Sequence, residues 1–218
     1  MEYRFVKKIF KIQTVHPHIH IEKATEMDLI LASTSTYRHS LLKRLQIPFR
    51  AVAPLVDETA QENEAPEQLV ARLALAKARA VSGTHADALV IGSDQVATMD
   101  GKLIGKPGDH QTATAQLRAC SGREVQFLTG LALTCENTGF EQVHVEPFTV
   151  YFRELSDSRI ENYLQREQPY DCAGSFKCEG LGIALFSSLC GDDPTALEGL
   201  PLISLVNMLE LAGINPLN

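Results

Sequence analysis

The chain has 218 residues, of which 44% are hydrophobic and 22% are charged, which is typical of a single globular domain with a sizeable core. The formal net charge of −7 disfavours broad electrostatic binding to nucleic acid, and no apolar run approaches the ~20 residues of a membrane-spanning helix. The five cysteines form no C-x-x-C pair, which predicts free thiols and a protein of the reducing cytoplasm.

Residues 1–26 differ from the rest of the chain, because lysines alternate with apolar residues there and three alternating histidines follow. This stretch has no apolar core of about 7–15 residues with a small-residue cleavage site, so a signal peptide is not predicted. Met27 immediately precedes the first clear strand. We therefore expect residues 1–26 to be a poorly ordered extension that is absent if translation begins at Met27, followed by one domain at 27–218. A metal-binding histidine tract is an alternative for the extension.

The first predicted unit is a strand, a tight loop and a helix. The apolar run Leu29–Ala32 is followed by four small hydroxylated residues, and apolar residues then recur at helical spacing, which predicts a helix over 36–46. Such a loop presents hydroxyls and N–H groups where the helix dipole favours an anion. Arg38 lies in the first helical turn, where a bound phosphate would explain a cation. The alternative is that Ser35 or Thr36 simply caps the helix.

A short strand is predicted at 49–53, followed by an acidic loop that contains Asp57 and Glu58. Pro66 suits the first position of a helix and Gly83 its end, which predicts a long second helix between them. Lys77 lies on or beside the apolar face of that helix. A lysine there either extends its ammonium group to solvent or points into a site.

The strongest predicted strand covers 88–98, and we expect Asp94 where its apolar run ends. A carboxylate at the end of an α/β strand is in the usual position for ligand chemistry. The alternative is a turn aspartate, but Asp100-Gly101 already supplies a hairpin turn a few residues later. Gly92 is expected to let another backbone or a ligand approach closely.

Lys106 lies between a glycine and a proline, on locally fixed backbone. Beyond it, the pattern predicts a helix at 111–120, antiparallel strands at 125–135 and 142–152, a helix capped by Ser156, a glycine-rich loop at 172–182, an apolar strand at 183–186 and a last helix at 202–211. Glycine-rich loops of this kind often line ligands.

Seven short motifs, in chain order, resemble those of the Maf family of nucleoside triphosphate pyrophosphatases over residues 28–217. They are LASTSTYR at 31–38, VDE at 56–58, RLALAKA at 72–78, GSDQV at 92–96, GKP at 105–107, AGSFKCEG at 173–180 and GLPL at 199–202. The pattern is most similar to the branch that acts on 7-methyl-GTP. Thr36 and Cys178 depart from the usual proline and serine, in loops and without changing a charged group.

The resemblance implies an α/β fold in which a mixed twisted sheet is flanked by helices, with two lobes and an active-site cleft between them. It implies hydrolysis of a nucleoside triphosphate to the monophosphate and diphosphate, with a divalent cation (magnesium or manganese) as cofactor. It also implies a cytoplasmic homodimer that removes modified nucleotides from the pool, with no nucleic-acid or membrane partner.

The resemblance also assigns roles to ten residues. Asp94 would accept the proton of water and, with Glu58, bind the metal; Asp57 is a further candidate ligand outside these ten. The phosphate-binding residues would be Ser33, Ser35, Arg38, Lys77 and Lys106, and the base-selecting residues Tyr37, Gln95 and Glu179. A carboxylate at Glu179 can accept both N1–H and N2–H₂ of guanine, and the aromatic face of Tyr37 attracts a cationic methylated base by about 0.5–2 kcal/mol. The dTTP/UTP branch has arginine in place of Tyr37.

Three other functions compete with this one. A pyrophosphatase for dTTP, UTP or another modified nucleotide keeps the chemistry and changes the substrate. A regulatory protein of cell division, acting at the septum, would have no need for a placed general base. A Rossmann-type dinucleotide binder is disfavoured because no G-x-G-x-x-G follows the first strand.

Overall fold

The computed structural model describes residues 28–218, so the expectations about residues 1–26, Met27 and the histidine tract lie outside the described residues. The strands of this part are β1 (Leu29–Ala32), β2 (Arg50–Val52), β3 (Leu89–Met99), β4 (Lys102–Ile104), β5 (Glu124–Cys135), β6 (Phe140–Phe152) and β7 (Phe186–Cys190). The α-helices are α1 (Thr36–Leu42), α2 (Pro66–Ser82), α3 (His110–Cys120), α4 (Asp157–Glu167) and α5 (Leu202–Leu211). None of these helices is long and apolar enough to cross a lipid bilayer.

The strands form one mixed sheet in the order β2-β1-β3-β5-β6-β7, and β4 pairs with β3. β1 is parallel to β2 and β3, whereas every other pairing is antiparallel. Alternate residues of the central strands face opposite sides, as the strand period of two requires. One side packs against α1 and α5 and the other against α2, and this confirms the predicted mixed sheet flanked by helices.

The helices and cores divide this part of the chain into two lobes. One lobe contains the parallel strands with α1, α2 and α5, and its core is built from leucine, isoleucine, valine and alanine. The other contains α3, α4 and the far halves of β5 and β6, where phenylalanine side chains predominate. Phe152, Phe176 and Phe186 stack edge to face there with ring centroids 4.8–5.8 Å apart.

β3 runs through the centre of the sheet and leaves one stretch of its edge open. β1 pairs with it as far as Gly92, and β4 pairs with it from Ala97 onwards, on the same side. Among the described residues no strand covers 93–96 on that side. β3 agrees with the strand predicted over 88–98 to within one residue, and Asp94, which follows its apolar run, lies inside the strand opposite Gly130 of β5. Asp94 lies two residues beyond the last β1 pair, on the stretch of β3 that β1 and β4 leave uncovered.

α2 lies unusually close to the sheet because two glycines face it. A Cβ atom on Gly92 would overlap the carbonyl oxygen of Ala74, and one on Gly130 would overlap that of Val70. The expected close approach at Gly92 is therefore made by the backbone of α2. This packing buries the α2 residues that face β3, Lys77 included.

Two elements have a boundary that differs from the sequence prediction by more than two residues. The first helix is α-helical only over Thr36–Leu42 and continues as a 3₁₀ turn at Lys43–Leu45. The strand expected at 183–186 is wrong, because Leu181–Leu185 forms a 3₁₀ turn and β7 begins at Phe186. Phe186 pairs with Phe152 of β6 and packs in the aromatic cluster, and these long-range contacts set the start of the strand.

Candidate active site

A cleft of about 510 Å³ lies between the loop after β1 and the glycine-rich loop. All ten residues with predicted roles line it, so the structure brings them together: Ser33, Ser35, Tyr37, Arg38, Glu58, Lys77, Asp94, Gln95, Lys106 and Glu179. Asp57 does not line the cleft, and its carboxylate accepts a hydrogen bond from the Thr59 backbone N–H at 2.9 Å.

Lys77 joins the two carboxylates predicted to bind metal. Its Nζ lies 2.7 Å from Oδ1 of Asp94 and 2.7 Å from Oε1 of Glu58. The side chains of Lys77 and Asp94 are only 7% and 11% exposed. The ammonium group therefore points into the cleft and not to solvent. Its hydrogen bond holds the pKa of Glu58 below the ordinary value, although partial burial opposes this shift.

The loop after β1 presents hydroxyl groups to the cleft. Ser35 is the N-cap of α1, since its Oγ accepts a hydrogen bond from the backbone N–H of Arg38 at 3.3 Å. Oγ of Ser33 accepts in the same way from the N–H of Ser35 at 3.1 Å. Because each oxygen accepts in these bonds, both O–H groups remain free to donate to a ligand.

Arg38 and Lys106 are cations of the cleft with no carboxylate ion-pair partner within residues 28–218. Nε of Arg38 donates to the carbonyl oxygen of Gly199 at 2.8 Å, and Oγ of Ser93 donates to the same oxygen at 2.9 Å. These bonds fix the guanidinium group of this cleft-lining residue, and its two terminal nitrogens have no hydrogen-bond partner within residues 28–218. Lys106 is exposed and also lines the cleft.

The wall around Tyr37 is negatively charged. Burial and then the nearby Cys172, Glu179 and Asp171 raise the pKa of Tyr37 to about 12. Asp171, Cys172 and Glu179 also line the cleft. Burial raises the pKa of the Cys172 thiol to about 12, which favours the protonated form of this sulfur.

The side-chain amide of Gln95 is held by hydrogen bonds within the protein. Its Nε2 donates to the carbonyl oxygens of Ala196 and Leu197 at 2.7 and 3.2 Å and lies 3.0 Å from Oγ1 of Thr129. These bonds tie β3 to the turn that leads to Gly199. Because both amide hydrogens have partners, only its side-chain oxygen is free to accept from a ligand.

Two further groups, which were not predicted from the sequence, shape the cleft. Arg72 donates to both carboxylate oxygens of Glu64 at 2.6 and 2.7 Å, and to the carbonyl of Thr59 at 3.1 Å. This bidentate pair clamps the loop that carries Glu58 onto α2. The acidic side chain of Glu198 also lines the cleft and lies 3.4 Å from Arg44. The sequence offers one signal for the Arg72–Glu64 pair, since Arg72 belongs to a family motif and Glu64 lies in the loop before α2. Neither feature indicates that the two residues are in contact.

The carboxylates of the cleft can be compared with the ligands that a divalent cation requires. Within residues 28–218, no group of three or more His, Cys, Asp or Glu side chains is arranged to hold a metal ion. Glu58 and Asp94 nevertheless supply two neighbouring carboxylates, each bonded to Lys77 Nζ through one oxygen, and the second oxygen of each has no hydrogen-bond partner within residues 28–218. Magnesium is commonly bound by one or two carboxylates together with substrate phosphates. The residues therefore fit a cation that is shared with a phosphorylated ligand.

Comparison with known proteins places this geometry in a family. Residues 28–212 match the family model described as Maf-like protein. A protein of Albidiferax ferrireducens named 7-methyl-GTP pyrophosphatase is 55% identical over 189 residues, which cover 87% of this chain and 95% of that protein. One of Nitrosococcus oceani with the same name is 57% identical over 185 residues, covering 85% and 93%. The solved Ham1 protein of Staphylococcus aureus aligns at a TM-score of 0.41 and 16% identity over 60% of this chain and 72% of that one. The family match and the identities of these relatives show that the chain belongs to the Maf family.

Proposed function

We propose that this chain is a nucleotide diphosphatase that hydrolyses 7-methyl-GTP to 7-methyl-GMP and diphosphate. The observation that carries the proposal is the environment of Asp94. This buried carboxylate is bonded to Lys77. It lies between one wall that carries hydroxyl groups and cations and a second wall that is negatively charged. Relatives at 52–57% identity that carry the name 7-methyl-GTP pyrophosphatase support it.

In the proposed reaction, water attacks the α-phosphorus, the bond to the bridging oxygen breaks and diphosphate leaves. Asp94 accepts the proton of the attacking water through Oδ2, while Oδ1 is bonded to Lys77 and keeps the carboxylate oriented. A positioned general base contributes about 10²–10⁴-fold to a rate. The low exposure of Asp94 keeps bulk solvent from competing for that oxygen.

The phosphate groups lie, in this proposal, between the loop after β1 and Lys106. The O–H groups of Ser33 and Ser35 and the terminal nitrogens of Arg38 donate to phosphate oxygens. Charge on these oxygens increases in the transition state, where fixed donors are most effective. Because the ammonium group of Lys77 already contacts two carboxylates, its main contribution is positive charge and the orientation of those carboxylates. Direct contact with the phosphate groups is secondary.

A divalent cation, magnesium or manganese, belongs to the proposal as cofactor. Glu58 and Asp94 would hold it, and it would offset phosphate charge and lower the pKa of bound water. The chain itself arranges this in advance: Lys77 keeps the two carboxylates together, and the Arg72–Glu64 pair holds the loop that carries Glu58.

The preference for a methylated guanine rests on the opposite wall. N7-methylation makes the base cationic, and Asp171 and Glu179 surround Tyr37 with negative charge. A cation is stabilised by that charge and by the aromatic face of Tyr37, whereas the neutral bases of dTTP and UTP are not. The Glu179 carboxylate can accept the two adjacent N–H donors of guanine, and Oε1 of Gln95 is a further acceptor.

The proposal is tested by a competition assay that measures diphosphate release from 7-methyl-GTP, GTP, dTTP, UTP and CTP with added magnesium or manganese. We expect strong preference for 7-methyl-GTP, and loss of all hydrolysis in Asp94→Asn. Preference for dTTP or UTP would overturn the proposed base pocket and leave the mechanism in place. Absence of hydrolysis of all five would overturn the enzyme itself.

Three finer parts of the proposal rest on the family resemblance. We propose that the enzyme works as a homodimer in the cytoplasm, and that it removes modified nucleotides before they enter RNA. Size-exclusion chromatography with light scattering measures the first directly, and a monomer at micromolar concentration would contradict it.

A further inference from the structure

A second cavity, of about 440 Å³, lies between α4 and the 3₁₀ turn at Leu181–Leu185, and it shares no residue with the cleft. Three arginines and one asparagine line it, together with an apolar floor. The cationic and amide residues are Arg153, Arg159, Arg166 and Asn162, and the floor is formed by Leu155, Tyr163, Leu181, Ala184 and Leu185. No carboxylate of residues 28–218 lines this cavity.

The arginines of this cavity differ from the others in the described chain. Residues 28–218 contain ten arginines, and six of them form ion pairs with Asp or Glu side chains: Arg44, Arg50, Arg72, Arg79, Arg118 and Arg123. The four without an acidic partner in this range are Arg38, in the cleft, and the three that line the second cavity. Within residues 28–218, the arginines without an acidic partner therefore occur only in the cleft and in the second cavity.

The acidic residues of α4 are already engaged elsewhere. Asp157 is bonded to Arg118 at 2.7 Å, and Glu161 to His110 at 2.9 Å. The carboxylate of Glu167 accepts from the backbone N–H of Leu181 at 3.0 Å. The helix therefore supplies no counter-charge to the three arginines, in a protein whose net charge is −7.

We propose that this second cavity binds a phosphate-bearing anion. Arg159, Asn162 and Arg166 lie on one face of α4 at helical spacing, and Arg153 approaches from the end of β6. Guanidinium groups match phosphate oxygens in geometry and keep their charge at every physiological pH. The site is open to solvent, because these four polar residues are exposed. Its volume lies in the range of small-molecule sites, about 300–1,000 Å³, and the apolar floor can accommodate a base or another organic group.

The cavity lies behind the glycine-rich loop but is separate from the catalytic groups. Tyr163, which lines it, accepts a hydrogen bond through its hydroxyl oxygen from the backbone N–H of Lys177 at 3.0 Å. The charges and walls of this cavity are its own, so the proposed anion site does not depend on the proposed reaction.

The test measures binding of inorganic diphosphate and of GDP by calorimetry, without divalent metal. The full-length Arg38→Gln/Lys106→Gln chain is used, so that the cleft binds anions weakly. Arg159→Gln/Arg166→Gln is added to this background. A matched control adds Arg50→Gln/Arg79→Gln, which removes the same charge from exposed arginines that are held in ion pairs.

We expect the background chain to bind one anion, the cavity substitutions to weaken binding at least about tenfold, and the control substitutions to leave it within about twofold. If GDP binds more tightly than diphosphate, the ligand of the cavity carries an organic group that contacts the apolar floor. If the two probes bind equally, the ligand is a free inorganic anion. Equal effects of the two pairs of substitutions, or binding of neither probe by the background chain, would overturn the proposal.

Discussion

Lys77 and Asp94 form a buried ion pair between α2 and β3, with Nζ and Oδ1 2.7 Å apart. The pair exists because α2 can lie directly on the sheet at Gly92, two residues before Asp94, and at Gly130, which is opposite Asp94 in the register. Larger side chains at these glycines would push the helix outward and separate the two charges. The position of the proposed general base is therefore set by backbone packing as well as by its ion pair.

Breaking this pair on one side is expected to destabilise the fold. Lys77→Met leaves the Asp94 carboxylate buried without its partner, which costs about 3 kcal/mol of unfolding free energy. Adding Asp94→Asn removes the uncompensated charge, so the double variant should recover part of the loss. Urea unfolding of the wild type, both single variants and the double variant gives the coupling energy. Strictly additive effects would contradict the pair.

Glu64 is expected to make the stability of the fold depend on acid. The hydrogen bond from Arg72, and then that from the N–H of Gln61, lower the pKa of Glu64 to about 2 from its ordinary value of 4.5. A carboxyl group whose folded pKa is lowered contributes stability that is present above the unfolded pKa and is lost as pH falls through the folded one. The contribution of Glu64 is thus complete above pH 4.5 and disappears towards pH 2.

The measurement compares the Tm of the wild type and Glu64→Gln between pH 7 and pH 2. We expect the wild type to have the higher Tm above pH 4.5, and the difference to shrink below it. Glu67→Gln is the control, since Glu67 forms no ion pair within residues 28–218 but lies near the same end of α2. A Tm difference that stays constant down to pH 2 would contradict the assignment.

The order of the helices, and of the strands other than β4, could be predicted because their signals are local. Apolar runs, Pro66, Gly83 and the Asp100-Gly101 turn mark their own elements, and both turn residues have the positive φ of 51° and 73° that suits a two-residue hairpin. The strand after the glycine-rich loop was misplaced because its start depends on Phe152 and Phe176, which are distant in sequence.

The members of the cleft could be named from motifs, but their contacts could not. Tertiary packing brings Lys77 into contact with both Glu58 and Asp94. It also brings Gln95 to the carbonyl of Ala196, which is about one hundred positions away in the sequence. The strand over 88–98 and the position of Asp94 after its apolar run could be predicted, but the pairing of Asp94 with Gly130 of β5 leaves no mark in the local sequence.

Gly92→Ala is expected to destabilise the protein by about 1–3 kcal/mol, since the added methyl group would overlap the Ala74 carbonyl and force α2 away from β3. The same shift would separate Lys77 from Asp94 and lower kcat for diphosphate release. Gly105→Ala is the control, because no atom lies within 4 Å of its added Cβ and its φ is not positive. Urea unfolding should place the control within about 0.5 kcal/mol of the wild type. A similar loss in both variants would contradict the packing argument.

Glu179→Gln is expected to change base preference and leave the phosphate chemistry intact. The amide replaces one of two acceptor oxygens with a donor and removes negative charge near Tyr37, so kcat/KM for 7-methyl-GTP should fall about tenfold or more. The value for dTTP, which offers neither the paired donors nor the cation, should stay nearly constant. Glu198→Gln is the control, since that carboxylate lines the same cleft but is paired with Arg44, and it should leave the ratio of the two substrates unchanged. Equal losses for both substrates in Glu179→Gln would show that Glu179 does not contact the base.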